Sequence, residues 1–201
     1  MTRILVADDE NLIRDAIAGL LDLEDDFEVV GRAASGDEAL ATALKVRPDV
    51  ALLDLQLPGP DGIEVARRLA TQLPDCRCII VTSHARPGYL KSALAAGVRG
   101  FLPKTVSSRT FAEVVRSVAG GGRYVDPELA AEAISAGDSP LSPRESDVLA
   151  LARDGARADE IARRVSLSTG TVRNYLAAAI AKLGAADRHD AARLAAERGW
   201  I

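Results

Sequence analysis

Two rhythms of hydrophobic residues run along the first 119 positions and only one along the rest. Short apolar runs at Arg3–Ala7, Phe27–Gly31, Val50–Asp54, Cys78–Val81 and Arg99–Leu102 are bounded by turn residues and predict buried strands. Between them, Asn11–Leu23, the stretch opened by Ser35 and closed before Pro48, Gly62–Leu73, Pro87–Ala96 and Ser107–Val118 carry apolar residues at helical spacing. In the first helix the predicted inward stripe is Ile13, Ala16, Ile17, Leu20 and Leu21. Strands that alternate with helices call for a parallel sheet covered on both faces. The expected fold is therefore a doubly wound α/β domain of five parallel strands over residues 1–119.

Gly120, Gly121 and Gly122 break this pattern and open a linker over residues 120–140. Within it Asp126-Pro127 supplies a helix cap and first turn, and Leu129, Ala130, Ala133 and Ile134 predict a short amphipathic helix. Gly137 and Asp138 then loosen the chain. Residues 141–201 show helical spacing alone. Ser142, Pro143 and Glu145 form a capping box ahead of Val148, Leu149, Leu151 and Ala152. A short helix follows at Ala158–Arg164, then a longer one at Thr169–Leu183 with Val172, Leu176, Ala179, Ile180 and Leu183 inward. Asp187 caps the last, Arg188–Arg198. Four short helices with a tight turn between the second and third predict an all-α helix-turn-helix domain.

Charge sharpens this division. The 201 residues carry a net charge of −4, which resolves into −6 over residues 1–138 and +2 over 139–201. Two cysteines, Cys76 and Cys78, and two histidines make a zinc site a poor reading, and the thiols are expected to be structural. No apolar run approaches the length of a membrane span, and the N-terminus lacks the features of a signal peptide, so a cytoplasmic location without membrane insertion is expected.

The chemistry lies at the strand ends. Val50–Asp54 closes an apolar run on a carboxylate, and Asp8, Asp9, Thr82 and Lys104 follow other strands. If the strands are parallel, all five converge on one edge, where open α/β sheets place their ligands. Clustered carboxylates raise one another's pKa unless a cation neutralises them, and hard oxygen donors suit Mg²⁺. Lys104 adds a point charge and Thr82 a hydroxyl. Such a set suits receipt of a phosphoryl group by in-line attack of an Asp54 oxygen.

These residues make the first 119 positions resemble the receiver domain of two-component response regulators, with strand order 2-1-3-4-5. The segments L-S-P-R-E, E-I-A, T-V-R-N-Y and K-L-G resemble a LuxR-type DNA-binding domain, and the whole chain resembles the NarL/FixJ family. The stretches E-D-D-F-E-V-V-G, A-R-P-G-Y and E-R-G-W-I resemble those of DesR-type members. The resemblance implies a phosphorylation-dependent DNA-binding transcriptional regulator with a sensor histidine kinase and a double-stranded operator as partners, homodimeric on phosphorylation, and no enzyme.

Carried onto this sequence, the resemblance makes Asp54 the phosphoacceptor and Asp9 a direct Mg²⁺ ligand. Asp8 acts through water, and the Gln56 backbone carbonyl completes the ligands. Thr82 and Lys104 bind phosphoryl oxygens, Phe101 answers Thr82, and His84 lies near the entrance. Receivers commonly place a proline after the lysine; here Thr105 follows and Pro103 precedes. In the recognition helix the resemblance assigns DNA contacts to Thr169, Thr171, Val172, Arg173, Asn174, Tyr175 and Lys182. Arg173 suits guanine and Asn174 adenine, while Thr171, Tyr175 and Lys182 suit phosphates. The run Ala177-Ala178-Ala179 leaves few other base-reading groups, which gives thymine methyls and DNA shape a larger share.

A rival reading is an aspartyl-phosphate enzyme of the haloacid-dehalogenase type. Such enzymes carry a second aspartate two residues after the nucleophile, where this chain has Gln56. A regulator that is never phosphorylated is a third reading, opposed by the intact acidic set.

Overall fold

The computed structural model describes residues 1–83, 87–135, 139–153, 155–198 and 200–201; His84, Gly137 and Asp138, which entered the sequence reading, lie outside the described residues. The chain divides into two compact units, the first made of residues 1–85 and 90–127 and the second of residues 128–201 with 86–89.

In the first unit the strands are β1 (Thr2–Ala7), β2 (Phe27–Ala33), β3 (Val50–Asp54), β4 (Arg77–Thr82), β5 (Gly100–Pro103) and β6 (Tyr124–Val125). They form one parallel sheet in the order β2-β1-β3-β4-β5-β6. The helices between them are α1 (Asn11–Leu21), α2 (Gly36–Val46), α3 (Gly62–Gln72), α4 (Pro87–Ala95) and α5 (Ser108–Ala119). The expected doubly wound order is present, with one strand more than the sequence predicted. Gly100 and Phe101 pair with Tyr124 and Val125, so β6 occupies part of what was read as linker. Two residues with an intermediate burial pattern carry no periodicity to recognise. Helix α6 (Pro127–Ser135) follows where expected, burying Leu129 and Ala133 but leaving Ile134 82% exposed.

Every residue of β3 is buried, as a central parallel strand requires. Its Leu52 joins Ile4, Val6, Ile79, Val81, Leu102 and Phe111 in a continuous core. Helices α2, α3 and α5 start at Ser35, Asp61 and Ser107, each of which accepts the backbone N–H three residues on. The stripe predicted for α1 is only partly covered. Ala18 and Leu21 are buried, whereas Ile13, Ala16, Ile17 and Leu20 line an open cleft of about 170 Å³ beside Phe111 of α5. Arg116 of α5 pairs with Glu24 at 2.6 Å and Asp26 at 2.7 Å and lies over the Phe27 ring, which gives the acidic turn after α1 a partner. Both cysteines are buried and free.

The second unit contains α7 (Pro143–Arg153), α8 (Ala158–Arg164), α9 (Thr169–Leu183) and α10 (Arg188–Glu197). Leu141, Val148, Leu149, Ile161, Val172 and Leu176 form the centre of its core. The turn between α8 and α9 bends through Ser166, whose φ of 52° is left-handed. Ser168 caps α9 by accepting the Thr171 N–H at 3.1 Å, and Gly184 closes it with φ 62°.

Candidate functional site

Register brings the strand-end residues together. Ala7 pairs with Leu53, Asp54 with Val81 and Thr82 with Pro103. Asp8, Asp54, Thr82 and Lys104 therefore leave four neighbouring strands at the same end of the sheet, Thr82 one residue beyond Asp54 and Lys104 one beyond Thr82. The Lys104 N–H donates to the Thr82 carbonyl at 2.8 Å, joining the last two. Asp8 is 1% exposed, Asp54 6% and Thr82 1%. The Lys104 ammonium lies 2.7 Å from Asp8 Oδ2 and 3.0 Å from Asp54 Oδ1, so one cation is shared by two buried carboxylates.

The loop beyond Asp54 is held against it. The Gln56 N–H donates to Asp54 Oδ2 at 2.7 Å, and the Gly62 N–H to the Leu55 carbonyl at 3.1 Å. Only glycine fits at position 62: a Cβ there would lie 2.2 Å from the Asp54 carbonyl oxygen. On the β1 side, Asp8 Oδ1 accepts the Glu10 N–H at 3.0 Å. Arg14 was not picked out by sequence, yet it donates to the Asp8 carbonyl at 2.6 Å and to Asn11 at 2.6 Å. An arginine one turn into a helix after an acidic pair is the only signal it offered.

Electrostatics follow from the count of charges. Burial pushes the Asp54 carboxyl above its ordinary range, and the charge on Asp8 adds to the rise, while Lys104 and the Gln56 N–H oppose it. Burial would lower the Lys104 ammonium, but Asp8 and Asp54 outweigh it and hold it above its ordinary value. The pocket is short of positive charge.

Asp9 is exposed, and among the described residues no group of three His, Cys, Asp or Glu side chains is placed to hold a metal. The expected gathering of three carboxylates is therefore reduced to two. Two buried hard-oxygen donors still fit Mg²⁺, which commonly takes one or two carboxylates and keeps several waters. Phe101 is fully buried on β5.

In the second unit Arg173, Asn174, Ala177 and Ala181 are exposed along one stripe of α9. Thr169 and Tyr175 are half-buried, and Tyr175 packs on the core. The Thr171 hydroxyl lies 2.8 Å from Ser168 Oγ at the helix cap. One of the sequence-predicted DNA contacts changes. Val172 is 0% exposed, because its position falls on the inward face of α9, and it presents nothing to DNA. Lys182 is ion-paired with Glu145 at 2.7 Å.

Known proteins match both units. The response regulator receiver domain family matches residues 4–116, and the family of bacterial regulatory proteins of luxR type matches residues 139–195. The transcriptional regulatory protein DesR of Bacillus subtilis is 40% identical over 201 residues, covering 100% of each chain. The DNA-binding transcriptional activator DevR/DosR of Mycobacterium tuberculosis is 34% identical, covering 98% of this chain and 95% of that one. Among solved structures, a LuxR-family two-component response regulator from an Aurantimonas species superposes with a TM-score of 0.64 at 28% identity, covering 67% of this chain and 96% of that one. The heme-sensing-system regulator ChrA gives 0.58 at 28% identity, over 100% and 98%. A buried aspartate–lysine pocket at the parallel sheet edge, a helix-turn-helix unit in residues 141–201 and matches over the full chain agree: this protein belongs to the two-component response regulators that join a receiver domain to a LuxR-type regulatory domain.

Proposed function

We propose that this regulator is switched by phosphorylation of Asp54 and acts by binding a double-stranded operator through α9. The observation that carries the reading is the shared ammonium: two buried carboxylates, one at the end of β3, divide a single lysine. A carboxylate oxygen of Asp54 attacks the phosphorus of a phosphohistidine on a sensor kinase, or of a small acyl phosphate. The new P–O bond forms as the P–N or P–O bond to the donor breaks, and the leaving imidazole or carboxylate takes the electron pair. Lys104 then meets an incoming phosphoryl oxygen, and Thr82 offers its hydroxyl.

Mg²⁺, when bound, offsets negative charge on the transferring group. Asp8 and Asp54 are the buried donors that would hold it, and the family likeness adds Asp9 and the Gln56 carbonyl. Receiver, linker and DNA-binding segments are assigned to 1–119, 120–140 and 141–201, with β6 belonging to the receiver sheet. Arg173 and Asn174 are the base-reading pair, and Ala177 and Ala181 leave room for thymine methyls. The phosphorylated receiver pairs with a second copy, and the protein works in the cytoplasm. Among the described residues no helix is long and apolar enough to cross a membrane.

The test is intact mass and oligomeric state with Mg²⁺ and acetyl phosphate, for the full chain and for Asp54→Asn. The wild type is expected to gain one phosphoryl group and shift to dimer, and the variant to do neither. A variant that still takes up phosphate and dimerises removes Asp54 from the role.

A further inference from the structure

The start of α7 and the last turn of α9 are joined by a charged contact that base reading does not use. Glu145 is only 6% exposed. Its Oε2 accepts the Ser142 N–H at 2.7 Å and the Lys182 ammonium at 2.7 Å. Ser142 Oγ accepts the Glu145 N–H at 3.3 Å, so the carboxylate that completes the capping box of α7 also holds the end of α9. Burial would push the Glu145 carboxyl up, but Lys182 and Ser142 outweigh it and leave it below its ordinary value. The carboxylate is charged, mostly desolvated and matched by one ammonium.

The apolar attachments of α9 to its own core are Val172, Leu176 and Ala179, with Tyr175, Ile180 and Leu183 half-buried against it. Apolar contacts of this kind hold a helix down but tolerate small rotations and slides. The Glu145–Lys182 contact adds a charge-assisted hydrogen bond at the last turn of α9, which favours the settings of the helix that keep the two groups within reach. Lys182 lies eight or nine positions beyond Asn174 and Arg173, so a rotation of α9 that breaks the ion pair also carries those two side chains off their setting.

We propose that Glu145 and Lys182 form a latch that sets the orientation of the recognition helix, and that Lys182 is a positioning residue for Arg173 and Asn174 and makes no phosphate contact of its own. This rests on the DNA-reading role proposed above for α9. Removing a charged side chain that touches phosphate weakens binding to every duplex and lowers the salt slope by about one. Removing a latch weakens binding only where base contacts are made.

The experiment uses the full chain, a duplex selected by the wild type from a random pool, and a scrambled duplex of the same length. Dissociation constants are measured across a salt series for the wild type, Glu145→Gln, Lys182→Gln, Lys182→Arg and the double variant Glu145→Gln/Lys182→Gln. The two single glutamine variants are each expected to lose roughly tenfold on the selected duplex and little on the scrambled one. The salt slope is expected to stay unchanged, Lys182→Arg to recover most of the loss, and the double variant to be no worse than either single. A slope reduced by about one in Lys182→Gln, with equal loss on both duplexes and a silent Glu145→Gln, makes Lys182 a phosphate contact and overturns the latch. Variants that melt earlier but bind the selected duplex like the wild type reduce the pair to a structural bond and overturn it equally. If the wild type enriches no sequence from the pool, the DNA reading itself fails, which is a separate result from either.

Discussion

Replacing Lys104 with methionine isolates the electrostatics of the pocket. The change keeps an unbranched apolar stem and removes the ammonium from two carboxylates that are 1% and 6% exposed. Removing one partner of a buried ion pair typically costs about 3–5 kcal/mol. Here the cost has a ceiling, because one carboxyl can take up a proton. An aspartate with an ordinary value near 4 in the unfolded chain needs about 4 kcal/mol to be protonated at pH 7, at roughly 1.4 kcal/mol per pH unit. The variant is therefore expected to lose about 3–4 kcal/mol at pH 7, about 1.5 kcal/mol at pH 5, and almost nothing near pH 4.

The sign is consistent with both groups. Asp54 already titrates above its ordinary value, so its contribution is largest in acid and is lost as pH rises through the folded value. Lys104 is raised as well, so its contribution in the wild type is complete below its ordinary value and is lost only as pH rises through its folded one. Urea titrations of the full chain, followed by far-ultraviolet circular dichroism at pH 7 and pH 5, measure the difference directly. Magnesium chloride should restore more stability to the variant than it adds to the wild type, since the vacated carboxylates still need a cation. Equal stability of the two proteins at pH 7, or a gap that does not shrink in acid, would refute the shared-ammonium account.

Two glycine substitutions are expected to act in opposite directions. Gly62→Ala forces a Cβ to within 2.2 Å of the Asp54 carbonyl oxygen, so the loop behind the carboxylate must move; a loss of roughly 1–3 kcal/mol in thermal unfolding is expected, with slower uptake of phosphate from acetyl phosphate. Gly19→Ala, within α1, meets nothing within 4 Å and should raise stability by roughly 0.5–1 kcal/mol in the same assay.

What the sequence made readable was set by how far each signal extends. Four strand ends could be placed because each of those apolar runs reaches a polar residue within two positions, and parallel pairing then leaves those residues little freedom to diverge. Asp8, Asp54, Thr82 and Lys104 accordingly lie at one end of the sheet. Asp9 follows the same strand as Asp8 but is exposed, since a sequence gives the residue type after a strand and not how deeply it is buried. The stripe of α1 is only partly covered for a related reason: helical periodicity shows that a face is apolar, not how completely it is covered. Val172 was counted on both faces of α9, and burial decides for the core. The Glu145–Lys182 pair spans 37 positions. Local patterning shows Glu145 only as the end of a capping box and Lys182 only as a basic residue near a helix end.

The arrangement around Lys104 also limits how a phosphoryl group on Asp54 could act at a distance. Turning a conformational equilibrium from 1:99 to 99:1 requires about 5.5 kcal/mol of differential interaction. A hydrogen bond to a charged group contributes about 1.5–3 kcal/mol. No single new contact suffices, and at least two must be gained in the phosphorylated state beyond those the unphosphorylated state already has. Lys104 begins with both carboxylates engaged, so its gain is only the difference between the oxygens it leaves and those it meets. The balance must come from groups on other strands, and Thr82 is the nearest, since its carbonyl already receives the Lys104 N–H. On this reasoning the response is carried by the ends of β4 and β5 moving together, and substitution of either Thr82 or Lys104 alone should leave phosphorylation of Asp54 possible while weakening the shift that follows it.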